Sequence, residues 1–280
     1  NNNIEIVNIL LEHSDVNIEN NAFINCYKLD KIVLPSFIQT LGSRSFMGCA
    51  SLVDITMPSS LTKIYDYSFE SCKSLKKLSI PSSVTYIGKY AFNDCQSLEE
   101  IELPLSLNSI EEGTFENCHS LKQIIIPSSV TYIGEKAFNS CILLESISIT
   151  SPTISIGKNA FNNCSKLVEI TFPVELETIE DSTFSECKSL IKVTIPSSVK
   201  SIDDHSFYSC INLKEIELSH LNLKSIGKNA FGLCKSLTKI VLPSSLLTIN
   251  DYAFCECLAL TQVTFISPSS IASIGKFAFR

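Results

Sequence analysis

Twelve cysteines are the residues of this 280-residue chain with the most obvious capacity for chemistry. Cysteine side chains can pair as disulfides, bind zinc or act as nucleophiles. Eleven of them recur at an interval of 23 residues, which becomes 24 only between Cys210 and Cys234. A structural zinc site needs a tetrahedral set of ligands, and one cysteine per interval with no histidine partner does not supply it. The cysteines therefore mark a position in a repeat, and we predict no metal site.

Disulfides between neighbouring repeats are another interpretation of the same spacing. The two Cβ atoms of a disulfide lie about 3.8 Å apart, whereas equivalent residues of stacked repeats lie about 4.8 Å apart. We therefore predict that the repeating cysteines are reduced, small, buried apolar residues. Cys255 is the exception, because it stands outside the repeating position. It is the candidate reactive thiol, and the alternative is that it is an inert exposed thiol.

Catalytic motifs do not accompany the cysteines. The sequence contains no Gly-x-Ser-x-Gly, no phosphate-binding glycine loop and no His-Glu-x-x-His. The one cluster of acids with a histidine is Asp203-Asp204-His205, which falls in a turn of the repeat and is more simply interpreted as a solvated loop. We predict that the chain is not an enzyme, with no catalytic residue and no cofactor.

The composition limits the classes of partner. The chain is 45% apolar and 18% charged, with a net charge of −7, which is typical of a soluble globular protein. No cluster of Lys and Arg indicates nucleic-acid binding, and no apolar run reaches the 18 or so residues that a membrane span needs. The stretch has no leader and starts at Asn1, so we interpret it as processed or as part of a longer protein.

The elements that must position these residues follow from the repeat itself, as the unit Lys73–Cys95 shows. Leucine stands three residues after every repeating cysteine, and apolar residues follow at six and eight, here Leu78 and Ile80. Residues two apart point to the same face of a strand. Pro81 then ends the strand, because proline has no N–H to donate. An internal period of this length predicts a solenoid.

The rest of each unit must return the chain to the next strand. A second apolar pair, such as Val84 and Ile87, is often followed by glycine, which suits a turn with positive φ. No helical periodicity is sustained, so we expect short 3₁₀ or irregular segments and no long helices. Counting the segment with Ile6, Ile9 and Leu11, the pattern predicts about twelve units in a single array over residues 1–280, with irregular spacing near Pro152 and after Ser219.

The motif Leu75-x-x-Leu78-x-Ile80 followed by Pro-Ser-Ser-Val-x-x-Ile-Gly-x-x-Ala-Phe-x-x-Cys resembles the BspA-like class of leucine-rich repeats. The resemblance covers nearly the whole chain. It implies a horseshoe-shaped array with a parallel β-sheet on the concave face. It also implies a cell-surface or secreted protein that adheres to host cells or matrix.

The outward residues of the predicted sheet are the first candidate binding surface. The row five residues after cysteine alternates in sign at Lys77 and Glu100 and again at Lys192 and Glu215, which predicts a self-paired ladder. The row seven residues after cysteine supplies the candidate partner-binding residues of the concave face. They are Val33, Glu102, Ile125, Thr171, Thr194, Glu217 and Val241.

A second candidate surface is the turn edge, which carries tyrosines. Interface hot spots favour Trp, Tyr and Arg, and we single out Tyr65, Tyr86 and Tyr132 there. The alternative is that these tyrosines cover the flank of the core.

The functional hypothesis is a non-enzymatic protein-recognition module. The resemblance favours an extracellular or cell-surface adhesin that binds a host or matrix protein. The alternative is a cytoplasmic leucine-rich-repeat scaffold that docks a protein partner. Both ends carry ordinary repeat sequence without an evident cap, so we expect a piece of a longer array that can associate end to end.

Overall fold

The computed structural model describes residues 17–149 and 155–280. The predicted first unit with Ile6, Ile9 and Leu11 and the displaced Pro152 lie outside the described residues. All regular secondary structure in the described part is β, as 22 short strands without a helix. Consequently no described helix could cross a membrane. Each turn of the chain adds one rung to a solenoid, and every strand pairing between rungs is parallel.

The predicted strand before the proline forms a first column, called sheet 1 below. Its members pair with the equivalent strand one rung away, as Ile147 of one rung does with Ile124 and Ile170 of its neighbours. The first column consists of Lys31–Val33 (β1), Asp54–Thr56 (β3), Lys77–Ser79 (β5), Glu100–Glu102 (β7), Gln123–Ile126 (β9), Ser146–Ile149 (β11), Glu169–Ile170 (β13), Lys192–Thr194 (β15), Glu215–Glu217 (β17), Lys239–Leu242 (β19) and Gln262–Phe265 (β21).

A second column of short strands occupies part of the segment where we expected 3₁₀ or irregular structure, and the rest of that segment is turns without a described helix. These strands are two residues long, and each pairs in parallel with its copy in the neighbouring rung. The second column, sheet 2, consists of Thr40–Leu41 (β2), Lys63–Ile64 (β4), Tyr86–Ile87 (β6), Ser109–Ile110 (β8), Tyr132–Ile133 (β10), Ser155–Ile156 (β12), Thr178–Ile179 (β14), Ser201–Ile202 (β16), Ser225–Ile226 (β18), Thr248–Ile249 (β20) and Ser273–Ile274 (β22).

The number of units is slightly smaller than predicted within the described residues. Eleven first-column strands are described, and ten complete turns lie between Cys26 and Cys257. The spacing irregularity after Ser219 is absorbed without loss of register, because β16 and β18 still pair residue for residue on either side of it.

The turn that follows each strand of sheet 2 forms a third ladder of backbone hydrogen bonds. In the rung that contains Phe69, the N–H groups of Tyr67, Phe69 and Ser71 donate to carbonyl oxygens of the following rung at 2.8–2.9 Å. Positive φ recurs in this turn five residues before and one residue before the cysteine position, as at Tyr67 and Ser71. Backbone groups of the turn are thus paired even though it contains no regular strand.

The glycines that follow the second column do not have positive φ, although glycine suits such a turn. Among the described residues, positive φ at glycine occurs only at Gly48 and Gly113. At Gly88 a Cβ atom would lie 2.6 Å from the backbone nitrogen of Asp66 in the preceding rung. Glycine is needed there because two turns of the chain approach closely.

Stacked phenylalanines three residues before the cysteine form the centre of the core. Their ring centroids lie 4.9–5.6 Å apart from rung to rung, with ring planes within 13° of parallel. The rings from Phe46 to Phe254 are fully buried. Each ring therefore packs between two copies of itself, which is why one rung alone cannot bury its apolar side chains.

The cysteines form a hydrogen-bonded ladder beside the phenylalanines. Each thiol from Cys49 to Cys257 in the repeating position donates to the phenylalanine carbonyl of the preceding rung at 3.1–3.3 Å, as Cys141 Sγ does to Phe115 O. All twelve cysteines are free thiols. The repeating cysteine is thus a small buried side chain, as predicted. It is also a weak donor to a carbonyl oxygen that has two lone pairs to accept hydrogen bonds.

Candidate partner-binding surfaces

The outward residues of sheet 1, called the sheet-1 face below, follow from the alternation of a strand. In β5 the middle residue, Leu78, points into the core, whereas Lys77 and Ser79 on either side of it are exposed. The same exposed–buried–exposed pattern recurs in β7, β15 and β17. Because the core needs only the inward residues, the outward positions are free to vary from rung to rung.

The predicted ion pairs on the sheet-1 face are present. Lys77 Nζ lies 2.8 Å from Glu100 Oε2, and Lys192 Nζ lies 3.7 Å from Glu215 Oε2. All four side chains remain more than half exposed, so solvent screening leaves each pair only a small contribution to stability. They fix the orientation of the side chains more than they stabilise the fold.

The seven predicted residues of the sheet-1 face all lie on or directly after first-column strands. Six are exposed and Val241 is half-buried. The structure brings Thr194 opposite Glu217, with Val241 on the next strand, β19. Glu102 and Ile125 lie on the adjacent strands β7 and β9. Thr171 follows β13, which contacts β15, so it lies one rung before Thr194 and extends that cluster. Val33 lies three rungs before Glu102 and is isolated from both clusters.

Two shallow cavities of the sheet-1 face each include part of one cluster, and the cavity with Glu102 does not include Ile125. One of about 290 Å³ is lined by residues of β15, β17 and β19, and Ser219 stands at its rim. The other, of about 620 Å³, is lined by residues of β3, β5 and β7. Ser219 belongs to the unit that has one extra residue, and it is the one lining residue of the first cavity outside the described strands.

The predicted tyrosines of the turn edge form one pair and one isolated residue. Tyr65 and Tyr86 have ring centroids 6.0 Å apart, and the Tyr86 hydroxyl lies 3.5 Å from Asp66 Oδ1. Burial, together with the nearby Asp66 carboxylate, raises the pKa of Tyr86 above its ordinary value. Tyr132 pairs through its backbone with Ser109, so a serine rung separates it from Tyr86.

A second tyrosine stack on the same edge was not among the predicted site residues. Tyr67 and Tyr90 stack with ring centroids 5.2 Å apart, and the guanidinium of Arg44 lies 5.0 Å from the Tyr67 ring centre. The Tyr90 hydroxyl donates to Glu112 Oε1 at 2.7 Å, and its ring lies over Gly113, where a Cβ atom would clash with it. The 23-residue spacing of Tyr67 and Tyr90 was the sequence signal for this stack.

The thiols of the described chain fall into two groups. Burial raises the pKa of Cys49 and of Cys257 to about 12, and it raises the pKa of Cys141 well above the ordinary value. Cys255 is half-buried, as is Cys26 at the first described rung. Exposure thus separates Cys255 from the ladder, and Cys26 shares that property.

The acid and histidine cluster at Asp203-Asp204-His205 lies on the turn edge, as expected. His205 Nδ1 lies 3.9 Å from Asp181 Oδ1, and its Nε2 is 3.3 Å from the Asn229 side chain. The pKa of Asp203 is raised mainly by burial and further by the nearby carboxylates of Asp204 and Asp181, while a hydrogen bond with Ser201 opposes the shift. Within residues 17–149 and 155–280, no group of three His, Cys, Asp or Glu side chains could hold a metal ion.

Comparisons with known proteins agree with this architecture. Residues 16–145, 132–261 and 219–280 match the family model described as the BspA type leucine rich repeat region, with six copies. No curated protein matches the chain. A leucine-rich repeat protein from Bacteroides ovatus is 30% identical, with 95% of this chain and 79% of that one covered and a TM-score of 0.65.

Two further solved structures share the fold. The T. pallidum leucine rich repeat protein is 30% identical, with 55% of this chain and 72% of that chain covered and a TM-score of 0.54. The pneumococcal vaccine antigen PcpA is 20% identical, with 92% of this chain and 74% of that chain covered and a TM-score of 0.61. At that identity the likeness to PcpA concerns the fold alone.

Proposed function

Because the chain belongs to the family of BspA-type leucine-rich repeat proteins, we propose that it is a protein-recognition module that binds its partner on the sheet-1 face. The observation that carries the proposal is the contrast between the two sides of each first-column strand. The inward residues are apolar in every described rung, whereas the outward ones include Ser79, Glu102 and Ile125 in three successive rungs. Residues that the fold does not constrain are free to serve recognition.

The partner that we propose is a host or matrix protein, and the location is the cell surface or the extracellular space. Membership of the BspA-type family supports both. The absence of a catalytic cluster in the sequence and the shallow form of the cavities on the sheet-1 face favour binding over catalysis.

The test uses immobilised chain with purified fibronectin, laminin and collagen as probes. We expect at least one of them to bind, and Ile125→Asp to weaken that binding at least tenfold, since Ile125 is 70% exposed on the sheet-1 face. Val174→Asp is the control, because Val174 is also exposed but lies in a turn after a proline. Failure of all three probes to bind, or equal loss with both variants, would contradict the proposal.

A turn-edge site is the second candidate, and the stack of Arg44, Tyr67 and Tyr90 favours it. Tyr and Arg are the residue types that dominate interface hot spots. With the same probes, loss of binding in Tyr65→Ala but not in Ile125→Asp would assign the partner to that edge.

The cytoplasmic scaffold is the alternative to a surface protein. Protease treatment of intact cells that express the full-length protein separates them. We expect the array to be cut while a cytoplasmic marker stays whole. An array that survives until the cells are lysed would support the scaffold.

We also propose that the last described rung can associate with another copy of the chain. β21 and β22 each have a neighbour on one side only, and Phe265 and Ile274 are partly exposed beside them. Unpaired strand edges with apolar neighbours template association. In sedimentation velocity we expect larger species at high concentration, and Ile274→Lys should reduce them. A chain that stays monomeric at millimolar concentration would contradict this proposal.

A further inference from the structure

A six-residue pattern on the sheet-1 face occurs twice. Lys77-Leu78-Ser79 on one rung and Glu100-Ile101-Glu102 on the next form the first copy. Lys192-Val193-Thr194 and Glu215-Ile216-Glu217 form the second copy. Every position of the first copy lies 115 residues before its counterpart, which is five units of 23 residues.

The structure makes both copies into the same local arrangement. β5 pairs with β7, and β15 pairs with β17, each as a separate two-stranded ladder in the same register. In each ladder the lysine and the first glutamate form an ion pair, and in each the second glutamate faces a hydroxyl residue, Ser79 or Thr194. Each ladder also lines a cavity of the sheet-1 face, which the first ladder shares with the preceding strand β3 and the second with the following strand β19.

The second glutamate of each copy is the group left for a ligand. Glu102 and Glu217 are exposed, and neither has a salt bridge to a described residue. The only hydrogen bond to either carboxylate among the described residues is from Ser219 Oγ to Glu217 Oε1, at 3.3 Å. The first glutamate of each copy already forms an ion pair with its lysine, whereas the second forms none with a described residue. Lys239 lines the same cavity as Glu217, without a salt bridge to it.

The neighbours of this carboxylate fit a cationic side chain with an aliphatic stem. On the following rung stands Ile125 beside Glu102 and Val241 beside Glu217. Lys and Arg side chains pack their methylene stems on such apolar surface and keep the charged end at a carboxylate. A divalent cation is a poor fit, since Ca²⁺ takes six to eight oxygen ligands and one free carboxylate with a hydroxyl supplies far fewer.

We propose that the sheet-1 face carries two equivalent sites, at Glu102 and at Glu217, which bind two Lys or Arg side chains of one protein partner. This inference rests on the proposed recognition function and names the partner's chemistry. Five rungs at about 4.8 Å each place the sites about 24 Å apart. A partner with two cationic side chains at that separation gains from binding both, because the second contact is made at high effective concentration.

The experiment uses two rigid, capped peptides as probes, each with one arginine at either end of a run of prolines. Polyproline II helices rise about 3.1 Å per residue, so a run of about seven prolines separates the arginines by about 25 Å and a run of about three by about 12 Å. We expect the long peptide, carrying a dye, to bind at least tenfold more tightly than the short one at low ionic strength. Glu102→Gln and Glu217→Gln should each bring the long peptide down to the affinity of the short one, while the short peptide changes about twofold or less.

Glu169→Gln is the matched control, since Glu169 is an exposed glutamate of the sheet-1 face on β13, between the two sites. Equal affinity of the two peptides, or an equal loss in Glu169→Gln, would overturn the two-site inference in favour of diffuse electrostatic attraction.

This result can be distinguished from the result of the matrix-protein binding test. Matrix binding without discrimination by length would remove only this inference, and discrimination by length without matrix binding would remove only the adhesin.

Discussion

The interior ladder and the sheet-1 face belong to the same rungs, yet they follow opposite rules. Inside, phenylalanine and cysteine return at every described rung. Each phenylalanine ring stacks on its copies above and below, and each cysteine thiol donates to the phenylalanine carbonyl of the preceding rung. Outside, Lys77, Glu100 and Gln123 follow one another at a single position of three successive rungs. Repetition is enforced where a side chain has no space except against its copies. Variation is tolerated where water is the neighbour.

The comparison teaches where to look for function in a solenoid without a catalytic site. A side chain that recurs in every rung is explained by packing. Groups of outward residues that recur only twice, such as the clusters at Glu102 and Glu217, have no such explanation, because the fold is equally regular without them. The following variants test how strictly the two regions differ.

Phe138→Ala should have the largest effect, because it removes one ring from the middle of a fully buried stack. Large-to-small changes of this kind cost about 3–5 kcal/mol. Since rungs contact only their neighbours, local hydrogen exchange should rise first in the adjacent rungs. Ile125→Ala on the sheet-1 face is the control and should change the free energy of unfolding little. If Phe138→Ala cost less than about 1 kcal/mol in chemical denaturation, on the same scale, the ring would not be part of the core.

Cys141→Ala should have an intermediate effect. The change removes the thiol donor to Phe115 O, but that carbonyl keeps its bond from the backbone N–H of Cys118. A net loss of about 1 kcal/mol is expected for one hydrogen bond, measured by urea unfolding.

Thiol labelling of the native chain tests whether the cysteines of the ladder are buried and reduced. We expect Cys255 and Cys26 to react while the buried thiols do not, and all twelve to react in denaturant. Several disulfides in the native mass would contradict the ladder.

Asp203→Asn tests the turn edge, where the smallest effect is expected. The folded-state pKa of Asp203 is raised by burial and by neighbouring carboxylates. The folded chain is therefore more stable when Asp203 is protonated, at low pH. That stability is lost as pH rises through the folded-state pKa. The variant should therefore have a higher Tm than the native chain at pH 7 and the same Tm near pH 3. Asp30→Asn, at an exposed position on the first described rung, is the control. A variant that is less stable at pH 7 would show that the Asp203 charge is favourable.

The repeat, the parallel first column and the inward positions were determined by the sequence alone. Leucine three residues after each cysteine and apolar residues at six and eight allow only one side of the strand to face the core. Stacking then follows, because every rung meets the same residues in its neighbours. The ion pairs of Lys77 with Glu100 and of Lys192 with Glu215 follow from the same register, as predicted.

Only the tertiary structure decided the second column, the role of the glycines and the grouping of the surface residues. A strand of two residues, such as Tyr86–Ile87, is too short to show any periodicity in sequence. The need for glycine at Gly88 arises from Asp66 of the preceding rung, which is a neighbour in space and 22 residues away in sequence. Likewise the pairing of Tyr65 with Tyr86 and the division of sheet 1 into separate ladders depend on contacts between rungs. The sequence specifies one rung and its register, whereas these features arise between rungs that differ.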